Sequence, residues 1–255
     1  MEFFDSHAHY NDEKFNCDRE SLIEQIYKEG ITNIMNVGYN LISSKKAIEI
    51  ASKYDFMIAS VGISPNDIDD MEIEELDKIK ELAQHEKVKA IGEIGLDYYW
   101  NKENKEKQQE FFIKQIEIAN ELDLPIIIHT REAVSDTLDI LKNKVLVNKK
   151  GIFHCCPLNI ELIKEALKLD FYISFAGPVT FKNSKNAQEV VEKVPLEKLL
   201  IETDAPYLSP EPVRGTRNDS RNVKYTAKKI AEIKGITLEE VAKQTYLNTK
   251  KIFNI

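Results

Sequence analysis

The sequence predicts an α/β fold: a single (β/α)8 TIM-type barrel with an additional C-terminal helix. Three observations predict it. Short apolar, β-branched runs alternate with helix-period stretches eight times along 255 residues. No Pro/Ser/Gly linker or low-complexity run divides the chain, so residues 1–255 read as one domain. Eight such units with short connections, in about the 250 residues typical of this barrel, favour closure over the competing doubly wound open sheet.

The elements follow in order. Strand candidates Glu2–Asp5, Asn33–Val37, Met57–Val61 and Ala90–Ile94 are followed by helical patterns at Asp18–Glu29, Ser43–Lys53, Ile73–Gln84 and Lys105–Leu122. The last of these helices shows the logic. Phe112, Ile113, Ile116, Ala119 and Asn120 share one face at a 3.6-residue period, while Lys107, Glu110, Lys114, Glu117 and Glu121 take the other. Pro125 stops that helix and opens the next strand, Ile126–Ile128. Strands Gly151–His154, Tyr172–Phe175 and Leu199–Glu202 complete the eight, with helices at Ala133–Lys142, Ile160–Leu169, Asn186–Lys193 and Asn222–Ile233. Thr203–Arg221, the longest unassigned stretch, is where a functional loop would sit. The extra helix, Thr237–Ile252, opens with a capping-box pattern, and Leu238, Val241, Ala242, Tyr246 and Leu247 offer its packing stripe.

Composition excludes several classes. Hydrophobic residues at 42% and charged residues at 31% rule out a disordered chain. No apolar run approaches the ~20 residues of a membrane-spanning helix. The first residues lack the basic start and long apolar run of a signal peptide, and three cysteines, two of them adjacent, make no disulfide framework. The expectation is a cytoplasmic protein without a membrane partner, with its cysteines buried or half-buried. A formal charge of −8 argues against broad adhesion to nucleic acid while leaving room for a local basic site.

The scarce residue types carry the chemistry. Of five histidines, His7 and His9 follow the first predicted strand, His129 ends the fifth and His154 ends the sixth. On an extended chain, residues i and i+2 face one side, so His7 and His9 can reach one metal. Glu93 ends the fourth strand and Asp204 follows the eighth. All six fall at the C-terminal rim, where a barrel gathers its catalytic groups. Four imidazoles and two carboxylates suffice for two divalent metals with one bridging carboxylate; Zn, Mn, Ni or Fe suit the donors, and the bridge admits Mg. The fifth histidine, His85, lies in a polar helix end and reads as a solvated surface residue.

Six segments together give a family resemblance: Phe4-Asp5-Ser6-His7-Ala8-His9, Ala90 to Tyr98 (AIGEIGLDY), Ile128-His129-Thr130-Arg131-Glu132-Ala133, Phe153-His154-Cys155, Glu202 to Leu208 (ETDAPYL) and Arg214-Gly215-Thr216-Arg217-Asn218. The chain resembles the TatD family of metal-dependent deoxyribonucleases, among the amidohydrolase-like metallo-barrels, over essentially its whole length. The resemblance implies that His7, His9, Glu93 and Asp204 hold one metal. It implies that Glu93, His129 and His154 hold the second, with Glu93 as the bridge; two divalent ions, Mg, Mn or Zn, are the expected cofactors. It also implies nuclease action on DNA, often 3′-to-5′ exonuclease. Two departures stand out. Cys156-Pro157-Leu158-Asn159 replaces an aromatic and Ser-Gly-Ser-like loop, and Ser220 replaces a proline usual two residues after the Arg-Gly-x-Arg-Asn segment.

Only five basic residues are arginine, and four of them fall at the predicted rim: Arg131, Arg214, Arg217 and Arg221. Residues 211–229 carry +4, leaving −12 for the rest of the chain. Arg131, Arg214 and Arg217 are therefore candidates for phosphate contact, since guanidinium forks match phosphate oxygens. Gly215 and Asn218 equally suit a plain turn. Lys224, Lys228 and Lys229 read as a solvated helix face. Tyr98, Tyr99 and Trp100, just past Glu93, suit either base stacking or rim packing.

The expected reaction is phosphodiester hydrolysis of single-stranded DNA or DNA ends by a monomer: a water bridging two metals attacks phosphorus, with Glu93 and Asp204 catalytic and Asp204 as base. The competing enzyme reading is a metallo-barrel hydrolase of amides, lactones or phosphotriesters. The non-enzyme reading, a metal-containing scaffold or DNA-binding protein, is disfavoured by the full ligand set.

Overall fold

The computed structural model describes residues 1–255. Eight parallel strands pair in sequence order: β1 (Phe3–Ala8), β2 (Ile31–Val37), β3 (Met57–Val61), β4 (Val88–Asp97), β5 (Ile126–Arg131), β6 (Ile152–Phe153), β7 (Tyr172–Phe175) and β8 (Leu199–Ile201). The sheet curls until its ends meet. Ala8 bridges Ala205, the His9 N–H donates to the Ala205 carbonyl at 2.7 Å, and the Asp204 N–H donates to the His7 carbonyl at 2.9 Å. This is the expected TIM-type barrel, with the interleaved helices α1 (Arg19–Lys28), α2 (Leu41–Ala51), α3 (Leu76–Leu82), α4 (Lys105–Glu121), α5 (Val134–Asp139), α6 (Ile160–Lys168), α7 (Ala187–Lys193) and α8 (Val223–Lys234).

Two apolar clusters follow from strand alternation. The inner one takes a residue from every strand, including Phe4, Met35, Ile58, Ala90, Ile127, Ile152, Tyr172 and Leu200. Their neighbours, such as Ile34, Ala59, Ile91, Ile128, Phe153 and Ile173, belong to the larger cluster shared with the helices. The extra helix α9 (Leu238–Phe253) joins the inner cluster through Ile252 and Phe253, beneath Phe4, so it closes the end of the barrel opposite the strand C-termini. Its capping box is formed by Thr237 and Glu240. The stripe is rotated from the expected one. Thr245, Asn248 and Thr249 are buried and Leu247 is 49% exposed, because Asn248 donates to the Leu196 and Leu199 carbonyls.

Other elements shift for similar reasons. The third helix begins as a 3-10 turn at Ile73–Glu75, and α5 continues as a wider π-type turn at Ile140–Lys144. On α4, Phe111, Gln108 and Gln115 are buried with the expected Phe112, Ile116 and Ala119. The two glutamines caulk strand ends: Gln115 pairs with both backbone groups of Ile63, and Gln108 with both of Asp97. No helix is long and apolar enough to cross a membrane. Cys17 is exposed, contrary to expectation, while Cys155 is half-buried, Cys156 is buried, and none forms a disulfide. His85 is exposed, as expected.

Candidate metal centre

Alternation positions half of the six candidate ligands. Counting in twos from the inward-facing Ile127 reaches His129 and Arg131 on β5. From Ile152 the count reaches His154 past β6, and from Leu200 it reaches Glu202 and Asp204 past β8. His7, His9 and Glu93 break this parity, the first two standing an odd number of residues from Phe4 and the third from Ala90. The pairing register shifts where it must, between Asp5 and Ala8 on β1 and between Ile91 and Ile94 on β4. Such irregularities re-aim a side chain. They also correct the expected boundaries. His7 lies within β1 rather than after it, and Glu93 lies inside a ten-residue β4 rather than at its end. Gly95 permits the close pairing there, since a Cβ on it would fall 2.0 Å from the His129 carbonyl oxygen.

The six candidate ligands converge as two sets that share one residue. In the first, His7 Nε2 and His9 Nε2 are 3.1 Å apart, and Asp204 Oδ1 lies 3.2 Å from His9 and 3.7 Å from His7. Glu93 Oε2 completes it at 3.5 Å from His7 and 3.8 Å from His9. In the second, Glu93 Oε1 lies 3.0 Å from His129 Nδ1 and 3.3 Å from His154 Nε2, which are 3.2 Å apart. Donors about 2.1 Å from a common cation stand roughly 3.0–3.4 Å from each other, a spacing the second set meets and the first approaches, with Glu93 its widest member. Glu93 therefore turns one oxygen to each set.

The opposite ring nitrogens are also engaged. His9 Nδ1 meets the Val37 carbonyl at 2.9 Å, His129 Nε2 meets Asp97 Oδ2 at 2.9 Å, and His154 Nδ1 meets Glu202 Oε1 at 3.3 Å. A histidine held this way presents its other nitrogen as a lone pair, the usual arrangement behind a metal ligand. His7 Nδ1 has no partner. Asp97 and Glu202 carried no assigned role in the sequence reading. The signal was present, because each lies an even number of residues from a ligand on the same strand line. Asp5 also emerges here. Fully buried, it accepts from the Thr203 N–H and hydroxyl and from the Ser220 hydroxyl, tying β1 to β8 and to the start of α8.

This chain belongs to the TatD-related DNase family. The family model matches residues 4–254. A Bacillus subtilis relative described as the uncharacterized metal-dependent hydrolase YabD is 48% identical over 252 residues, covering 99% of both chains. The Escherichia coli K12 protein YcfH, described in the same words, is 37% identical over all of this chain and 97% of its own length. The crystal structure of the Escherichia coli TatD homolog YJJV superposes with a TM-score of 0.93 at 25% identity, covering 99% and 98% of the two chains. The protein is thus a TatD-family metal-dependent hydrolase, and the two donor sets are its candidate metal sites.

Charge in this TatD centre is set by mutual neutralisation. Burial would raise the Glu93 pKa, yet His154 and hydrogen bonds from three histidines hold it well below the ordinary carboxyl range. Burial would lower His154, but Glu93 and Glu202 lift it well above the ordinary imidazole value. Burial acts upward on Asp204 as well, and His9 outweighs it, so Asp204 is held low. His7 alone is pulled down, by burial and by His154 stacked 3.9 Å away. Asp204 also adopts a left-handed backbone, φ 56°, a conformation that is costly for most residues and clusters at functional sites.

The centre lines a cavity of about 770 Å³ at the C-terminal end of the barrel. Of the candidate arginines only Arg131 lines it. Arg217 instead forms a two-pronged ion pair with Asp18 and donates to the Lys14 carbonyl. Arg214 lies over the Phe181 ring, 3.9 Å from Glu211. Arg221 is held by Asp219 and Glu29. Arg217 and Arg221 are thus paired with carboxylates, and neither Arg214 nor Arg217 lines the cavity. Tyr98 is buried, with its hydroxyl on Asp136, whereas Tyr99 and Trp100 are exposed at the rim.

Proposed function

We propose that this hydrolase cleaves phosphodiester bonds of DNA, working inward from a 3′ end. The observation that carries the reading is Glu93, whose two carboxylate oxygens serve two donor sets within one cavity. That arrangement suits reactions in which an attacking and a leaving oxygen both need stabilisation. The family description and the rim guanidinium of Arg131 support a phosphate substrate. All six ligands come from one chain, so a monomer suffices for the chemistry.

When bound, two divalent cations would supply a water of lowered pKa and neutralise charge on the phosphate oxygens. The chain's own groups do the rest. His7, His9 and Asp204 on one side, and His129 and His154 on the other, fix the spacing through Glu93. Asp204, ionised at neutral pH, accepts the proton from the attacking water and orients it. Asp97 and Glu202 keep the imidazoles in the tautomer that faces inward. Arg131, which no carboxylate pairs with, takes a non-bridging phosphate oxygen.

End-labelled single- and double-stranded DNA tests the reading, with Mg, Mn or Zn and metal analysis of the purified protein. Expected is metal-dependent, stepwise shortening from the 3′ end that stops in chelator. Full activity in chelated protein, or cleavage only of nitrophenyl amide, lactone or phosphotriester substrates, would overturn it.

A further inference from the structure

The cavity mouth has an aromatic group on each flank of the metal ligands, and the two differ. Beyond His9, Tyr207 is already engaged: its hydroxyl donates to Asp12 at 2.6 Å and the Lys14 ammonium lies 4.2 Å from its ring centre. Beyond His129 stands Trp100. It lines the cavity, is 69% exposed, and its ring meets Tyr99, edge-on, at 4.8 Å and the Arg131 guanidinium at 5.5 Å. The Arg131 guanidinium lies 3.8 Å from the Tyr99 ring centre on the same flank.

Trp100 is not a loosely hung rim residue. The Asp97 carboxylate accepts from the backbone N–H groups of Tyr99, at 2.9 Å, and Trp100, at 3.4 Å, through Oδ1. Its Oδ2 meets His129 Nε2 at 2.9 Å. One carboxylate therefore locks the tryptophan's turn to the orientation of a metal ligand. A large open ring, a guanidinium with unpaired N–H groups and a fixed spacing from the reaction centre are what a planar heterocycle attached to a phosphate requires.

We propose that Trp100, backed by Tyr99 and Arg131, is a stacking platform for an unpaired nucleobase next to the cleaved phosphate. This rests on the nuclease reading above and gives it a consequence: the platform needs a base whose face is free, so single-stranded or frayed ends are the preferred substrates.

Trp100 is the chain's only tryptophan, so its fluorescence reports the contact directly. The metal-loaded protein is titrated with a dye-labelled oligodeoxynucleotide whose terminal linkages are phosphorothioates, and with the same strand carrying abasic terminal nucleotides. The expected result is saturable quenching by the first strand and little by the second. By dye anisotropy, W100A should bind the normal strand roughly 5- to 150-fold more weakly. It should bind the abasic strand as the parent does, while W100F retains most affinity. Oligonucleotide binding with unchanged tryptophan fluorescence, or W100A binding both strands like the parent, would overturn the platform and leave the nuclease reading standing. Base-dependent quenching without hydrolysis of any DNA would do the reverse. Absence of both binding and hydrolysis overturns both.

Discussion

The floor of the cavity and the connection after β8 were built by different rules. On the floor, every ligand lies on or just past a strand, and its neighbours are fixed by the order of the barrel. Outside the rim, Arg214, Arg217 and Arg221 sit in the long connection after β8, and Arg217 and Arg221 find partners distant in sequence, Asp18 and Glu29. Placement on a strand gives a side chain an address. Placement in a loop gives it only a neighbourhood, in which any carboxylate within reach competes with the ligand.

The sharpest break of this comparison is at Glu93. Glu93→Ala removes an oxygen from each donor set, and activity should fall to that of the chelated protein. Calorimetric metal titration checks the cause, because both sites should weaken together; loss at one alone would remove the bridging role.

Next come the residues behind the ligands. Asp97→Asn and Glu202→Gln should each cost about 10- to 100-fold in metal affinity or turnover. Asp97→Asn should act on the His129 side and spare the set at His7, His9 and Asp204. Equal loss at both sites would mean the floor behaves as one unit.

Proton competition sharpens the picture of the floor. In the metal-free centre His154 is lifted well above the ordinary imidazole pKa, so it holds a proton at neutral pH. Metal needs the lone pair that this proton occupies. Affinity should therefore rise with pH, by about tenfold per unit for each proton released, until His154 is deprotonated in the free protein. Calorimetry in buffers of different ionisation enthalpy should detect about one proton or more released at pH 7. No release would overturn the assignment.

The smaller effects lie on the rim and outside it. Arg131→Ala should raise the KM for DNA by roughly tenfold or more, given a charged hydrogen bond to phosphate. Arg217→Ala should leave KM unchanged and cost at most about 1 kcal/mol of stability, because its pair with Asp18 is partly exposed and screened. A flattened salt dependence of DNA binding in Arg217→Ala would restore it to the substrate and break the comparison.

The same division explains what could be read from the sequence. The barrel was legible because the apolar runs recur with short connections. The candidate ligands were legible because histidine is scarce and falls in or next to the C-terminal parts of strands. The register shifts in β1 and β4 were not, since nothing in Asp5-Ser6-His7-Ala8 or Ile91-Gly92-Glu93-Ile94 announces which way the pleat slips. Asp97 and Glu202 were overlooked because carboxylates are common, although their even spacing from ligands pointed inward. The pairing of the arginine loop was not legible, because charge summed along the chain does not show that Asp18 and Glu29, the residues flanking α1, reach Arg217 and Arg221.

The seam between β1 and β8 has a consequence for how this molecule is made. His7 and His9 emerge almost 200 residues before Asp204, and Asp5 must wait equally long for Thr203 and Ser220. Contacts so distant in sequence are slow to form and come late. A chain folded only through β7 would carry a His-x-His pair and the Glu93 set, but no Asp204 to close the first site. Tight occupancy of that site by metal is thus a chemical report that the ring has closed.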